Sequence, residues 1–339
     1  MRTSRNLGRK HAASEHGAPV NRALRAFLGF FAAPRVNIRR DYQKIRRRQR
    51  KLAAPLGSPS RAADYTVASS HGDHLIPIRV FHPKEQLRDE VLLFFHGGGW
   101  VTGGVESYTP TCSRMADLTG CTVVSVEYRL APEHPFPAGL SDCYDVARTV
   151  MDQPHLVGAD NADNIVLVGD SSGGNLVAAV SLLRRKRGER AATRQILLYP
   201  VTYWNHRSLT SPFESVREHG EDYRLTNVEV QDYMALYVPN PAQRRDPLVA
   251  PLMAKDFTDQ PSTLVLSAEL DLLRDEGEAY GRALQQAGNM VRIHRVEEAL
   301  HGFIALPWMA RSVRDAYEQM NDFLGEERKG EQRDREEKP

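Results

Sequence analysis

The sequence contains few cysteines and no long hydrophobic run. Only three of its 339 residues are cysteine, and these include no Cys-x-x-Cys pair or Cys/His cluster. This excludes a disulfide-stabilised scaffold, argues against a zinc site and favours a reducing compartment, so we expect a cytoplasmic protein. The longest apolar stretch near the start, Ala26 to Pro34, is far shorter than the ~20 residues that a membrane-spanning helix needs.

In other respects the composition is that of an ordinary globular protein. Hydrophobic residues make up 41% and charged residues 26% of the chain, which excludes disorder of the whole chain and a collagen-like repeat. A chain of 339 residues can bury a sizeable core and suits one large domain or two small ones.

Charge is unevenly distributed along the chain. Residues 1–51 carry 15 Lys and Arg against two acids, a net charge of +13, whereas the remaining residues carry a net charge of −11. Such a basic arm can contact an anionic lipid surface or nucleic acid, or dock on its own acidic body. No nucleic-acid-binding motif accompanies the charge, so we favour docking on the body and predict no nucleic-acid partner. Weak contact with an anionic membrane is the alternative.

Composition and periodicity divide the chain into four segments. These are a disordered basic tail (residues 1–20), a helical segment with a linker (21–62), a main domain (63–325) and a disordered charged tail (326–339). Within the second segment, apolar residues at helical spacing predict one helix over Asn21 to Phe31 and another over Arg39 to Ala53. A signal peptide over residues 1–33 is a rival interpretation, disfavoured by the long basic leader and the short apolar run.

From about residue 64, short β-rich runs alternate with helical runs. The predicted strands are Ile76–Phe81, Val91–Phe95, Thr122–Tyr128, Asn164–Val168, Gln195–Tyr199, Thr263–Ala268 and Val291–Val296. The predicted helices are Thr109–Leu118, Leu140–Met151, Gly173–Arg185, Glu276–Ala287 and Val313–Leu324. Several of the strands are continuous apolar runs, as in central parallel strands that are covered on both faces. The pattern predicts a three-layer α/β fold with a mostly parallel sheet and helices on both faces.

The run Gly169-Asp170-Ser171-Ser172-Gly173 is a GxSxG motif in an informative position. It directly follows a predicted strand and opens a predicted helix. That context is what a nucleophile elbow requires, with glycines at both ends because Cβ atoms would collide in so tight a turn. Ser171 is therefore our candidate nucleophile. The alternative is a plain Gly-Ser loop.

A triple glycine, in the run His96-Gly97-Gly98-Gly99-Trp100, directly follows another predicted strand. Successive glycines let backbone N–H groups turn towards one point, as an oxyanion hole requires. We choose the N–H groups of Gly97 and Gly98 as two donors and that of Ser172 as a third, and we expect His96 to brace the loop. The alternative, a flexible glycine turn, fits poorly with the flanking His96 and Trp100.

A nucleophilic serine needs a histidine base and an acid that orients it. For an elbow of this kind the chain order is serine, acid, histidine, and Asp271 and His301 follow Ser171 in that order. Each comes shortly after a predicted parallel strand, at the edge of the sheet where Ser171 is also expected. Asp275 and Glu276 compete for the acid role, but their positions suit the first turn of the next helix.

Together these motifs resemble the hormone-sensitive-lipase-like family of α/β-hydrolases, which includes bacterial carboxylesterases. The resemblance covers roughly residues 65–325 and is carried by His96–Trp100, Glu127–Pro137, Gly169–Asn175, Asp271–Gly277 and His301–Phe303. It implies a catalytic triad and an oxyanion hole at the positions already chosen. These are Ser171, Asp271 and His301 for the triad, and Gly97, Gly98 and Ser172 for the oxyanion hole.

Two positions depart from the family pattern, since Ser172 stands where alanine is usual and Leu272 where proline is usual. The first keeps its N–H donor, and the second is expected to loosen the loop that holds Asp271. The family also implies a cap over the site, formed here by the N-terminal segment and an insertion over about residues 201–252. A homodimer formed through the last strand and helix is a further expectation from the family.

These features favour a serine carboxylesterase that hydrolyses small esters of short to medium acyl chain through an acyl-enzyme. Its expected partner is a small-molecule ester, and no metal or organic cofactor is implied. A lipase and an amide or lactone hydrolase are alternatives on the same triad. A non-catalytic ligand receptor is the alternative from another class, and it is disfavoured because the nucleophile, acid and base are all present.

Overall fold

The computed structural model describes residues 37–53, 61–221 and 223–336. The predicted tail over residues 1–20, the predicted helix over Asn21 to Phe31 and the alternative signal peptide lie outside the described residues. In the part of the chain that is described, no helix is long and apolar enough to cross a membrane.

The centre of the molecule is one sheet of eight strands. Along the chain they are β1 (Ala62–Ala68), β2 (Leu75–Phe81), β3 (Val91–Phe95), β4 (Thr122–Val126), β5 (Ile165–Asp170), β6 (Arg194–Leu198), β7 (Ser262–Leu270) and β8 (Val291–Leu300). Their order across the sheet is β1-β2-β4-β3-β5-β6-β7-β8. Strand β2 is antiparallel to both of its neighbours, and the other neighbouring pairs are parallel. This confirms the predicted mostly parallel α/β sheet.

Helices connect the strands. Those of the described residues are α1 (Ile38–Ala53), α2 (Val105–Thr119), α3 (Ala138–Asp152), α4 (Ser172–Lys186), α5 (Glu214–His219), α6 (Asn227–Tyr237), α7 (Arg274–Gln286) and α8 (Arg311–Glu336). Strand β3 shows how they cover the sheet, because its side chains alternate between two apolar clusters. Leu93 lies in the cluster that includes Leu176 of α4. Phe94 lies in the cluster that includes Met115 of α2 and Met320 of α8. Both faces of the sheet are therefore buried, which explains the continuous apolar strands.

Two regions differ from the sequence-based expectation. Strand β1 was not predicted, because only Val67 of its seven residues is buried and the sequence shows no apolar run. It pairs antiparallel with β2 at the edge of the sheet, where a strand needs little apolar surface. Helix α8 continues to Glu336, although charge density predicted disorder over residues 326–339. The extension consists mostly of Glu, Arg, Lys and Gln, which have high helix propensity.

The segment between β6 and β7 contains α5 and α6 and returns to the sheet after residue 250. Both ends of this insertion are held by one buried side chain, Asn175 of α4. Its Nδ2 donates to the carbonyl oxygen of Val201 at 2.9 Å and to that of Val249 at 2.8 Å. A single amide therefore fixes where the insertion leaves and rejoins the body.

Candidate active site

Ser171 lies in a strained turn between β5 and α4. Its backbone has φ +54° and ψ −118°, in the region that L-residues rarely adopt. A Cβ atom on Gly169 would lie 2.4 Å from the carbonyl oxygen of Gly173, and one on Gly173 would lie 1.9 Å from that of Phe95. The two glycines are thus required by close backbone approach, as the nucleophile-elbow interpretation expects.

The structure brings the three predicted residues Ser171, His301 and Asp271 into one hydrogen-bonded chain. Nε2 of His301 lies 2.9 Å from Oγ of Ser171, and Nδ1 of His301 lies 2.6 Å from Oδ2 of Asp271. The ring of Tyr199 packs edge-on against the imidazole, with the ring centroids 4.9 Å apart. In this geometry the histidine can accept the proton of the serine while the carboxylate holds the other ring nitrogen.

The topology of the sheet explains why residues so far apart in the chain meet. Ser171 follows β5, Asp271 follows β7, and His301 follows β8. These strands are parallel, so their carboxyl ends lie on the same edge of the sheet. Ligands of open α/β sheets bind along that edge.

One expectation about the oxyanion hole is corrected by the structure of the glycine loop, residues 96–100, which follows β3. The N–H of Gly97 donates to Oδ1 of Asp170 at 2.6 Å, so it is not available to an oxyanion. Within the described residues, the N–H groups of Gly98 and Gly99 donate no hydrogen bond. The N–H of Ser172 is the first of helix α4 and has no acceptor within the helix. Of the donors considered for the oxyanion hole, those of Gly98, Gly99 and Ser172 are therefore free.

His96 braces the glycine loop. Its side chain is fully buried and stacks on Tyr128, with the ring centroids 4.3 Å apart. Nδ1 lies 2.8 Å from the carbonyl oxygen of Gly97, and burial lowers the pKa of the imidazole. A neutral ring with Nδ1–H as donor fits these contacts and fixes the conformation of the loop.

Asp170, directly before the candidate nucleophile, organises the same loop. Besides Gly97, its carboxylate accepts hydrogen bonds from the hydroxyls of Tyr108 at 3.0 Å and Tyr199 at 3.4 Å. Burial raises the pKa of Asp170 to about 6, although the hydrogen bonds favour the ionised form. Asp170 was not among the site residues predicted from the sequence. Its position inside the GxSxG motif was the available signal.

The raised pKa of Asp170 should make the free energy of unfolding depend on pH. Replacement of Asp170 with asparagine should remove this dependence. Between about pH 4 and pH 6 the unfolded chain releases this proton while the folded protein keeps it. The folded state therefore loses stability as the pH rises, by about 3 kcal/mol in all. For Asp170→Asn, the free energy of unfolding relative to wild type should rise by about this amount across the window. Urea unfolding of both proteins checks this, and a difference that does not change with pH would contradict it.

Comparisons with known proteins place this chain in a family. The model of the α/β hydrolase fold family matches residues 92–305. An arylesterase from Saccharolobus solfataricus is 32% identical over 301 residues, which cover 87% of this chain and 95% of that protein. An ethyl acetate hydrolase from Pseudomonas putida is 33% identical over 259 residues, which cover 75% and 79%. The chain belongs to the α/β-hydrolase fold family.

Solved structures agree with this assignment of the α/β-hydrolase. A hyperthermophilic esterase from the archaeon Pyrobaculum calidifontis superposes with a TM-score of 0.81 at 33% identity, covering 91% of this chain and 98% of that one. The resemblance to hormone-sensitive-lipase-like carboxylesterases is confirmed. The predicted class of enzyme, a carboxylic ester hydrolase, is confirmed as well.

The two carboxylates that competed with Asp271 have other partners in this α/β-hydrolase. Glu276 is fully buried and accepts hydrogen bonds from the N–H groups of Thr202 at 2.7 Å and Tyr203 at 3.1 Å. Its other oxygen lies 2.7 Å from Nε2 of His206. Glu276 thus holds the start of the insertion. Asp275 bonds to Arg274 and to the insertion helix α5.

Proposed function

We propose that the protein is a serine carboxylesterase that forms an acyl-enzyme on Ser171. Oγ of Ser171 attacks the ester carbonyl, Nε2 of His301 takes its proton, and Asp271 fixes the tautomer and stabilises the imidazolium. His301 then protonates the departing alcohol and activates the water that hydrolyses the acyl-enzyme. The observation that carries the proposal is the continuous hydrogen-bonded chain from Ser171 to Asp271.

The negative charge that develops on the carbonyl oxygen would bind to backbone N–H groups. We assign this role to Gly98, Gly99 and Ser172, with Gly99 replacing Gly97 of the sequence-based choice. The N–H of Ser172 lies at the N-terminus of α4, where the helix dipole favours negative charge. Donors that are already in place need no reorganisation during the reaction, which is the main source of their effect on rate.

We propose small esters of short to medium acyl chain as substrates. Relatives that are named arylesterase and ethyl acetate hydrolase support small esters. A lipase and an amide or lactone hydrolase would use the same residues, so substrate tests must separate them. A p-nitrophenyl ester series from acetate to palmitate should show the highest kcat/KM at short to medium chains. A maximum at the longest chains would favour the lipase instead.

Covalent labelling tests the proposed nucleophile. A fluorophosphonate probe reacts with an activated serine hydroxyl and should modify Ser171, as peptide mapping by mass spectrometry would show. Excess of a good ester substrate should slow the labelling, because probe and substrate compete for the same group. Modification of a different serine would overturn the proposal.

We further propose that α1 and the insertion over residues 201–252 form a cap over the site. The ring of Tyr233 in α6 lies against the glycine loop, since a Cβ atom on Gly99 would be 2.3 Å from it. Helix α1 reaches α6 through an ion pair in which Nε of Arg39 lies 2.6 Å from Oδ1 of Asp232. The two parts therefore support each other above the proposed oxyanion donors.

Helix α1 also contacts the residue directly after the glycine loop, through Arg46. Its Nε donates to the carbonyl oxygen of Val101 at 2.6 Å, and its Nη2 donates to that of Ala131 at 2.7 Å. A bidentate pair with Glu133, with both distances 3.0 Å, completes its contacts. Arg46 thus ties the N-terminal helix to the residue that follows the loop.

We expect Arg46→Ala to lower kcat/KM on soluble short-chain esters about tenfold, because charge-assisted hydrogen bonds that hold the loop are lost. Arg47→Ala is the matched control and should behave like wild type, because Arg47 is exposed and, among the described residues, bonds only within its own helix. Rates on p-nitrophenyl acetate and butyrate measure both. Equal activity of the two variants would count against a cap role for α1.

A cytoplasmic location, a homodimer and weak membrane contact stay predictions. The three cysteines are free and buried, as expected for a protein of a reducing compartment. Exposed cations on the outer side of α1 would supply the membrane contact. These are Arg47, Arg48, Arg50 and Lys51. Salt-sensitive sedimentation with anionic liposomes tests the membrane contact.

A further inference from the structure

The short insertion helix α5 is hydrogen-bonded to the loop that carries Asp271. Oγ of Ser215 donates to the carbonyl oxygen of Leu272 at 2.8 Å. The N–H of Ser215 donates to Oδ2 of Asp275 at 2.8 Å, and the N–H of Asp275 donates to Oγ of Ser215 at 3.3 Å. Ser215 is fully buried, so these bonds are shielded from water. One side chain of the insertion thus contacts the residue directly after Asp271.

A second set of contacts links helix α5 to the same loop. Nε of Arg274 lies 2.8 Å from Oδ1 of Asp275, and its Nη2 lies 2.9 Å from Oε2 of Glu218. Its Nη1 lies 3.0 Å from Nε2 of His219. Glu218 and His219 end helix α5, so Arg274 binds the end of the helix whose first turn Ser215 holds.

The loop in turn sets the direction of the Asp271 carboxylate. Oδ1 of Asp271 accepts from the N–H of Leu273 at 3.0 Å, and its carbonyl oxygen accepts from the N–H of Arg274 at 3.1 Å. Oδ2 remains for His301. Because the backbone of the loop fixes one carboxylate oxygen, a change in that backbone would turn the other away from the histidine. The loop contains no proline between Asp271 and Asp275 that would restrain it.

We propose that Ser215 is a positioning residue, through which the insertion holds Asp271 in line with His301. This inference rests on the proposed function, because it assigns Ser215 a part in orienting the proposed base. The position of the insertion and the alignment of Asp271 with His301 are then coupled. Displacement of the insertion would open the site and would also misalign Asp271, so that His301 becomes a less effective base.

Ser215→Ala keeps the backbone donor but removes the hydroxyl that bonds to Leu272 and Asp275. We expect kcat to fall about tenfold with little change in KM, since the lost interaction acts on the base rather than on ground-state binding. The acid limb of kcat/KM should also move to lower pH, because a poorly aligned Asp271 stabilises the imidazolium of His301 less.

The pH profile of kcat/KM depends on all the charged and titratable groups around His301. Among the described residues, the charged and titratable groups that face this ring and its turn include Asp271, Asp170, Tyr199 and Arg224. Ser215→Ala changes none of these groups, so a shift in the profile reports the alignment of Asp271. A merely structural loss of stability would lower the amount of active enzyme and leave the profile in place.

Ser211→Ala is the matched control within the same insertion. Ser211 is also buried, and its Oγ accepts from the N–H of Phe213 at 3.3 Å without contacting the Asp271 loop. We expect wild-type kcat, KM and pH profile for this variant. Active-site titration with a fluorophosphonate normalises each rate to the folded enzyme.

A second variant keeps the test decisive if Ser215→Ala does not fold. Asp275→Ala removes the acceptor for the N–H of Ser215 and should give the same fall in kcat. If Ser215→Ala does fold, the losses should not add in the double variant, because both substitutions act through the contact between α5 and the Asp271 loop. Wild-type kcat and pH profile in the folded variants would overturn the inference. Turnover that survives Ser171→Ala would instead overturn the proposed function itself.

Discussion

Replacing Ser171 with alanine is expected to lower kcat for ester hydrolysis by about 10⁴- to 10⁶-fold. The hydroxyl that alanine lacks is the group that Nε2 of His301 contacts at 2.9 Å. Without it no acyl-enzyme can form, so only substrate binding and the oxyanion donors contribute to the remaining rate. The rates of p-nitrophenyl butyrate hydrolysis by wild type and variant give the ratio directly.

The variant should remain folded, because the turn does not depend on the hydroxyl. The N–H of Ser171 donates to the carbonyl oxygen of Leu198 at 2.8 Å, and its own carbonyl accepts from the N–H of Asn175 at 3.1 Å. Alanine keeps both backbone bonds and the same Cβ. Circular dichroism and thermal unfolding should match wild type while fluorophosphonate labelling is lost. Near-wild-type turnover in the folded variant would show that Ser171 is not the nucleophile.

The three triad residues that the sequence predicts share one property, which is that each directly follows a strand. Ser171 follows β5, and Asp271 and His301 follow β7 and β8. In a parallel sheet, a place in the chain after a strand is also a place at one edge. Strands β5 and β7 are largely buried and readable as apolar runs, so Ser171 and Asp271 follow from local pattern and topology together. Strand β8 is mostly half-exposed and the predicted strand ends at Val296, so the choice of His301 depends more on the chain order of serine, acid and histidine.

Hydrogen bonds between residues that are far apart in the chain cannot be predicted from such local patterns. The sequence shows that a run of glycines can supply N–H donors, but it does not show which of them meets a carboxylate. The acceptor for Gly97 is Asp170, 73 residues further along the chain. The contacts between Ser215 and the loop of Asp271 span a similar distance in sequence and come from a helix of six residues without a clear apolar pattern.

Replacing Asp271 with asparagine is expected to lower kcat by about 10⁴-fold while the fold is kept. Oδ2 of Asp271 lies 2.6 Å from Nδ1 of His301, and as an acceptor there it favours the tautomer with the proton on Nδ1. That tautomer leaves Nε2 free to take the proton of Ser171. An amide NH₂ group at the same place would donate and favour the opposite tautomer, which cannot act as the base. Steady-state kinetics and thermal unfolding separate this effect from a loss of stability.

Asp275→Asn is the matched comparison, because Asp275 lies in the same loop but contacts Arg274 and Ser215 rather than His301. The asparagine keeps one carbonyl oxygen as an acceptor for the N–H of Ser215, while the charge that pairs with Arg274 is lost. We therefore expect a fall in kcat of no more than about tenfold, the scale of one weakened hydrogen bond. If Asp275→Asn proved the more damaging change, the acid would have been assigned one turn too early. The 2.6 Å contact between Asp271 and His301 would then describe a structural pair rather than the one that activates Ser171.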